Sequence, residues 1–118
     1  MARLITDRGT VNNYRDDAMK AWVNVSSGSS STTIDKSLGV SSITRDSSGQ
    51  FQVNLNTGAV ASADYAVAGT GQQASEDVFC ARPNGSYPQT TAEVTILFQN
   101  HAGTRVDASV WSCMIIGG

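Results

Sequence analysis

The sequence predicts an all-β fold, an antiparallel β-sandwich of jelly-roll type built from about seven to nine short strands. Apolar and polar residues alternate in several segments, and turn-forming residues recur about every 8–12 positions. Charged residues make up only 15% of the 118 residues, and long runs of the helix formers Leu, Glu and Lys are missing. A chain of this length forms one domain that buries about two-thirds of its unfolded surface.

The clearest local signal is a β-hairpin in the first half of the chain. In Gln50 to Leu55 every second side chain is apolar, which is typical of a half-buried strand. The preceding residues Asp46-Ser47-Ser48-Gly49 supply a short turn, in which Gly49 can adopt a positive φ angle. We therefore predict that Ile43–Arg45 and Gln50–Leu55 pair with each other.

Upstream of the hairpin, Lys20–Val25 is a predicted strand with its alanine and valines on one face and Trp22 on the other. The small polar residues of Ser26–Thr33 predict a flexible surface loop. The apolar parity then changes between Val40 and Ile43, which indicates a bulge or bend at Ser41-Ser42. Such a bend lets the chain pass from one sheet to another.

The second half of the chain contains further predicted strands. The last one is apolar on both faces from Trp111 onward, so both of its faces need cover. This feature indicates burial between subunits. The predicted strands are Tyr65–Gly69, Val78–Arg82, Ala92–Gln99 and Val106–Ile116.

The order of these segments resembles a known domain. KAWVNV at residues 20–25 is followed by a Gly/Ser/Thr-rich loop, SLGVSSIT at 37–44, QFQVNL at 50–55 and ADYAVAG at 63–69. This order is similar to that of a small all-β domain in bacteriophage tail fibres and related virion surface proteins. The closing SVWSCMIIGG at 109–118 resembles the last strand of that domain.

The resemblance implies a structural protein on the virion surface, made in the cytoplasm of a bacterial host and assembled as a homotrimer. Fewer than 20 residues precede the domain, which favours a capsid decoration (cement) protein or a fibre knob over a full fibre. The expected partners are the chain itself and a major capsid or tail protein. Side chains expected in intersubunit packing are Trp22, Trp111, Met114 and Ile116.

We therefore divide the chain into an N-terminal docking arm, residues 1–19, and a β-sandwich domain, residues 20–118. The arm is the most charged segment, and its expected particle-docking side chains are Arg3, Arg8, Tyr14 and Arg15. A frayed terminus is the competing interpretation of the same residues.

No residue pattern indicates an enzyme, a cofactor or a metal. The single histidine, His101, lies in a predicted turn, and no serine occupies a G-x-S-x-G elbow. Cys80 and Cys113 are far from each other and from His101, which matches no zinc spacing. Buried free thiols are the expected state of the cysteines, and a disulfide is the other option.

Charge and hydropathy exclude two classes of partner. The net charge is −2 and the basic residues are scattered, which argues against nucleic-acid binding. No apolar run approaches the roughly 18 residues of a membrane span, and the N-terminus lacks a secretion-signal pattern. We expect neither nucleic acid nor membrane as a partner.

A second function remains open, a tail-fibre tip that binds a host receptor or carbohydrate. Sandwiches hold sugars with exposed aromatic rings beside polar side chains. The best candidates in this sequence are Asn84 and Tyr87, in the loop Pro83–Pro88.

Overall fold

A computed structural model describes residues 18–27, 31–83 and 85–118, and in these ranges the chain forms eight β-strands. They make two four-stranded antiparallel sheets, the first in the order β2-β1-β8-β5 and the second in the order β3-β4-β7-β6. The sheets pack against each other, which confirms the predicted sandwich. The strands are β1 Met19–Ser27, β2 Thr32–Leu38, β3 Val40–Ser47, β4 Gln50–Leu55, β5 Tyr65–Gln72, β6 Phe79–Ala81, β7 Glu93–Gln99 and β8 Val110–Gly117.

Three aromatic rings join the sheets at the centre of the core. Phe51 on β4 and Phe98 on β7 come from the second sheet, and Trp111 on β8 comes from the first. The ring centroids of Trp111 lie 5.1 Å from Phe51 and 5.4 Å from Phe98. Each ring is at least 98% buried, and burial of a side chain of this size contributes about 1.5–3 kcal/mol.

The predicted hairpin is present as β3 and β4, joined by the two-residue turn Ser48-Gly49. Gly49 has a φ of 71°, and an added Cβ would lie 2.8 Å from the carbonyl oxygen of Phe98. Its N–H donates to Asp107 Oδ1 at 2.9 Å, and its carbonyl accepts from the Phe98 N–H at 2.8 Å. Conformation and close packing therefore both require glycine here.

The chain crosses from the first sheet to the second at Gly39, between β2 and β3. Gly39 has a φ of 72°, and a Cβ there would lie 2.7 Å from the carbonyl oxygen of Lys20. The predicted bend at Ser41-Ser42 is thus displaced by two residues toward the N-terminus. The pairing of β3 with β4 is nevertheless irregular between Val40 and Ser42, as the parity change indicated.

Several predicted strand boundaries differ from the structure; β5, for example, extends to Gln72, whereas the prediction ended at Gly69. β1 continues to Ser27 and β2 begins at Thr32, so the predicted loop is shorter. β8 begins at Val110 instead of Val106, because the preceding backbone bonds to both sheets: the Val106 N–H donates to the Phe98 carbonyl at 3.1 Å and the Ser109 N–H to the Gln72 carbonyl at 2.9 Å. Asp107 in that segment accepts hydrogen bonds from Arg45 Nε at 3.0 Å and Nη2 at 2.8 Å.

Two glycines on the inward side of β5 allow the sheets to approach closely. Gly69 pairs with Cys113 and Gly71 pairs with Trp111, so both glycines face the core. A Cβ on Gly69 would lie 2.8 Å from Cys80 Sγ, and one on Gly71 would lie 2.8 Å from two ring atoms of Phe98. The space that a side chain would occupy on β5 is therefore filled by the opposite sheet.

We expect Gly71→Ala to lower the free energy of unfolding by about 1–3 kcal/mol, because the added methyl overpacks against the ring of Phe98. Gly85→Ala is the matched control, since a Cβ at Gly85 meets nothing within 4 Å. Urea unfolding monitored by tryptophan fluorescence measures both values. Equal stability of the two variants would contradict the close approach of the sheets at β5.

The ion pair between Arg45 and Asp107 predicts a pH dependence of stability. The hydrogen bond from Arg45 and the N–H of Gly49 lower the pKa of Asp107 below its ordinary value. The carboxylate therefore stabilises the fold above the unfolded-state pKa of about 3.9, and this contribution is lost as the pH falls through the lower folded pKa. Asp107→Asn should thus be less stable than the unmodified chain at pH 7, and the difference should shrink below about pH 4.

Urea titrations of both proteins between about pH 2 and pH 7 would measure this difference. Asp46→Asn is the control, because Asp46 is an exposed aspartate on the same strand as Arg45. A difference between Asp107→Asn and the unmodified chain that stays constant across the whole range would contradict a role for the charge.

Candidate interaction surface

The outward faces of the two sheets differ in chemistry: β3 and β4 of the second sheet carry polar side chains, and its exposed apolar residue Phe79 lies on the edge strand β6. On the second sheet, Gln52 Nε2 donates to Asn54 Oδ1 at 2.7 Å. Asn54 Nδ2 in turn donates to Ser42 Oγ at 3.0 Å and to Thr44 Oγ1 at 3.1 Å. This face has the hydrogen-bonded polar surface that an antiparallel sheet normally presents to water.

The outward face of the first sheet is apolar at one end, and we name this end the apolar face. Leu38 pairs with Trp22, Trp22 with Met114, and Met114 with Ala68, so one row of apolar side chains crosses all four strands. A second row follows at the end where β1 begins. It consists of Met19, Ile116 and Ala66.

Exposed apolar side chains concentrate on this sheet. In the part of the chain that the structure describes, seven large apolar side chains are exposed, and five of them belong to the first sheet. Leu38 is 52% exposed, Met114 43% and Ile116 37%. Scattered apolar side chains are ordinary on protein surfaces, whereas a contiguous set indicates an interaction site.

The side chains of the apolar face differ in size from strand to strand. The bulky side chains Trp22 and Leu38 stand on β1 and β2, whereas β5 presents only the methyl groups of Ala66 and Ala68. A groove of about 340 Å³ lies where this apolar row meets the polar end of the sheet. Its lining includes Trp22, Met114 and Ala68 and the polar residues Asn24, Ser112 and Thr70. Met114 on β8, between these two groups, is 43% exposed, so large side chains extend over β2, β1 and β8 and small ones occupy the edge strand β5.

Polar side chains occupy the other end of the same sheet face. Asn24 pairs with Ser112 and Ser112 with Thr70, and the hydroxyl oxygens of the last two lie 3.4 Å apart. Strands β5 and β8 carry no charged residue. The adjacent Asp35 and Lys36 on the edge strand β2 have opposite charges.

Three of the four side chains predicted for intersubunit packing come together on the apolar face, namely Trp22, Met114 and Ile116. Trp111 lies instead between the two sheets at 2% exposure, because the alternation along β8 turns it to the core. Sequence reasoning missed Met19, Leu38, Ala66 and Ala68. Their outward parity is readable from the strands, but their position beside Trp22 depends on pairings between distant segments.

The other predicted site residues are not gathered into one place. Tyr87 is 43% exposed in the loop between β6 and β7, where Arg82 Nη1 donates to Gln89 Oε1 at 2.7 Å. Its suggested neighbour Asn84 lies outside the described residues. The expected docking side chains Arg3, Arg8, Tyr14 and Arg15 also lie outside them, so the arm and the glycan contact stay predictions.

The described residues hold no group of three or more His, Cys, Asp or Glu side chains that could bind a metal ion. His101 is exposed in a turn after β7, as predicted. Within the described ranges, no helix has the length and apolar character needed to cross a membrane.

Comparison with known proteins adds no assignment. No protein-family model matches the chain, and neither the curated proteins nor the solved structures include a significant match. The class that the fold and surface define is an antiparallel β-sandwich with one apolar outer face.

Both cysteines are free thiols, and their surroundings make them poor nucleophiles. Burial raises the pKa of Cys113 to about 12 and that of Cys80 to about 11. At pH 8 the thiolate is therefore only about one thousandth of Cys80 and less of Cys113.

We expect iodoacetamide to leave both cysteines unmodified in the folded protein at pH 8 and to alkylate both in urea. Mass spectrometry measures the adducts, and rapid alkylation of the folded protein would contradict this burial.

Proposed function

We propose that this chain is a structural protein of a bacteriophage virion, a surface-exposed capsid decoration or fibre-knob protein that assembles as a homotrimer. The sequence motifs and their order suggest the virion class. The observation that carries the assembly is the contrast between the hydrogen-bonded outer face of the second sheet and the apolar face of the first.

An apolar face of this kind favours association for a simple physical reason. Each exposed methionine, leucine or isoleucine orders water that is released when a partner covers the side chain, and the gain is about 25 cal/mol per Å² of apolar surface. A sheet that met only solvent would carry polar side chains on this face, as strands β3 and β4 of the second sheet do. The chain retains Met114 and Ile116 at outward positions of a central strand, where they serve no purpose in its own core.

A trimer covers the apolar face of every copy. When three copies surround a common axis with this face turned inward, each copy contacts both neighbours and the apolar rows are removed from water. The polar outer face of the second sheet then points away from the axis. A compact particle with a polar exterior is what a virion surface component requires.

Light scattering coupled to size-exclusion chromatography tests the assembly on the full chain. We expect about three times the monomer mass of 12.4 kDa at micromolar concentration. Trp22→Ser with Met114→Ser should shift the protein to the monomer. Phe79→Ser with Tyr87→Ser is the control, because these side chains are also large, apolar and exposed but belong to β6 and the β6–β7 loop. A monomer or dimer for the unmodified chain would contradict the trimer.

Antibody labelling tests the virion location. Antibodies raised against the purified chain should label intact phage particles made from the genome that encodes it, and gold labels should be seen on capsid or fibre by electron microscopy. Detection of the chain only in the particle-free lysate would contradict a structural role.

A further inference from the structure

In the described ranges the two sheets end in four edge strands, which are β2 and β5 in the first sheet and β3 and β6 in the second. The outer side of an edge strand presents backbone N–H and C=O groups with which a further strand can pair, and such pairing leads to unwanted association. Folded proteins therefore protect their edges with charged side chains, prolines, very short strands or a covering loop.

Three of these four edges carry such a feature in their own sequence. Strand β2 contains Asp35 and Lys36, and strand β3 contains Arg45 and Asp46. Strand β6 is only three residues long. The exception is β5, Tyr65–Gln72, whose eight residues include no charged side chain and no proline. Its edge therefore needs protection from another part of the chain.

The backbone groups on the open side of β5 can be identified from the bonds on its paired side. The Gln72 carbonyl accepts from the Ser109 N–H at 2.9 Å, so the peptide group of Gln72 points toward the β8 side. Peptide groups alternate in direction along a strand, so the carbonyl of Tyr65, seven residues earlier, points to the opposite, open side. The residues of β5 that share this open side are Tyr65, Val67, Gly69 and Gly71.

The side chain of Gln89, from the β6–β7 loop, occupies the open side at the start of β5. Its amide nitrogen Nε2 donates to the Ala63 carbonyl at 2.6 Å and to the Tyr65 carbonyl at 2.8 Å. The N–H groups of a neighbouring strand would make bonds of the same kind with these carbonyls. A strand that paired there would therefore have to displace Gln89.

Two further contacts hold Gln89, which is half-buried, in this position. Arg82 Nη1 donates to Gln89 Oε1 at 2.7 Å. Because a guanidinium group only donates, this bond fixes which end of the carboxamide faces Arg82 and turns the nitrogen toward β5. The Tyr65 hydroxyl donates to the carbonyl oxygens of Thr90 and Glu93, at 2.7 Å and 3.1 Å, which anchors the backbone that carries Gln89.

We infer that Gln89 closes the edge of β5 to strand addition, as an intramolecular substitute for a neighbouring strand. The partner that it excludes is an extended segment, such as β5 of a second copy. With the side chain in place, the open side is reduced to the backbone groups of Val67, Gly69 and Gly71. The inference concerns the edge of the first sheet, and it depends neither on the proposed virion function nor on the trimer.

Titration with a labelled peptide tests this closure. The probe is a fluorescent peptide with the sequence of residues 65–72, and fluorescence anisotropy measures its binding to the folded protein. Gln89→Ala removes both donated hydrogen bonds, so it should bind the peptide at least tenfold more tightly than the unmodified chain does. Gln89→Glu should also bind it more tightly, because a carboxylate keeps the size of the side chain but cannot donate to the two carbonyls.

Tyr65→Phe is the matched control. It removes the hydroxyl bonds to Thr90 and Glu93 and so loosens the same loop, but it leaves the bonds from Gln89 to β5 in place. It should bind the peptide no more tightly than the unmodified chain does. A probe that carries Val67→Pro and Gly69→Pro lacks N–H donors needed for pairing, so it should bind none of the proteins. Circular dichroism checks that each variant is folded.

Equal affinity of Gln89→Ala and the unmodified chain for the peptide would overturn the inference. An equal gain in Gln89→Ala and Tyr65→Phe would also overturn it, because the effect would then come from a loosened loop and not from the freed carbonyls. The trimer and the virion location are measured by other experiments, so failure of the proposed function and failure of this inference are distinguishable.

Discussion

The structure depends on the aromatic contact between the sheets. Phe51 and Phe98 of the second sheet enclose Trp111 of the first, and the two phenyl rings meet edge to face with centroids 6.1 Å apart. Because three large rings fill the middle, the inward positions of β5 next to them must be small. Gly69 and Gly71 on β5 meet that need, since any side chain there would collide with the opposite sheet. The thickness of the sandwich follows from this balance.

The same constraint accounts for the outer surface. β8 lies in the middle of the first sheet, so its inward side chains Trp111 and Ile115 are committed to the core. Period-two alternation then places Met114 and Ile116 on the outer face, where the described residues leave them 43% and 37% exposed. A central strand that is apolar on both faces belongs to a sheet with protein on both sides. In the second sheet the outward amides and hydroxyls of β3 and β4 bond to one another, while the central strand β7 buries residues on both of its faces, among them Leu97 at 3% exposure.

Local patterns predicted much of this architecture. Alternation and turn chemistry identified the β3–β4 hairpin and the sandwich class, because both signals are contained in a few consecutive residues. The start of β8 was misplaced, because Asp107 bonds to Arg45, a residue 62 positions away that no local pattern indicates. The crossing at Gly39 was displaced by two residues for a similar reason, since the contact that demands glycine comes from Lys20 on another strand.

The candidate surface was only partly predictable. Hydrophobic character selected Trp22, Met114 and Ile116, which lie on the outer face, and Trp111, which lies in the core, without distinguishing the two sides of β8. Trp111 lies two and four residues from Cys113 and Ile115 along β8, so period-two alternation places all three on the same, inward side. Ala66 and Ala68 were not predicted as part of the surface, because the significance of a small side chain depends on the large side chains that lie next to it in the sheet. That neighbourhood is set by register between segments far apart in sequence.

Hydroxyl-radical footprinting of the unmodified chain over a range of concentrations tests the central claim most directly, that the apolar face of the first sheet is covered by other copies. The account predicts that Met19, Trp22 and Met114 lose reactivity as the concentration rises, whereas Phe79 and Tyr87, which are exposed elsewhere, keep theirs. Unchanged oxidation of Met114 at every concentration, or protection of Phe79 and Tyr87 in its place, would contradict it.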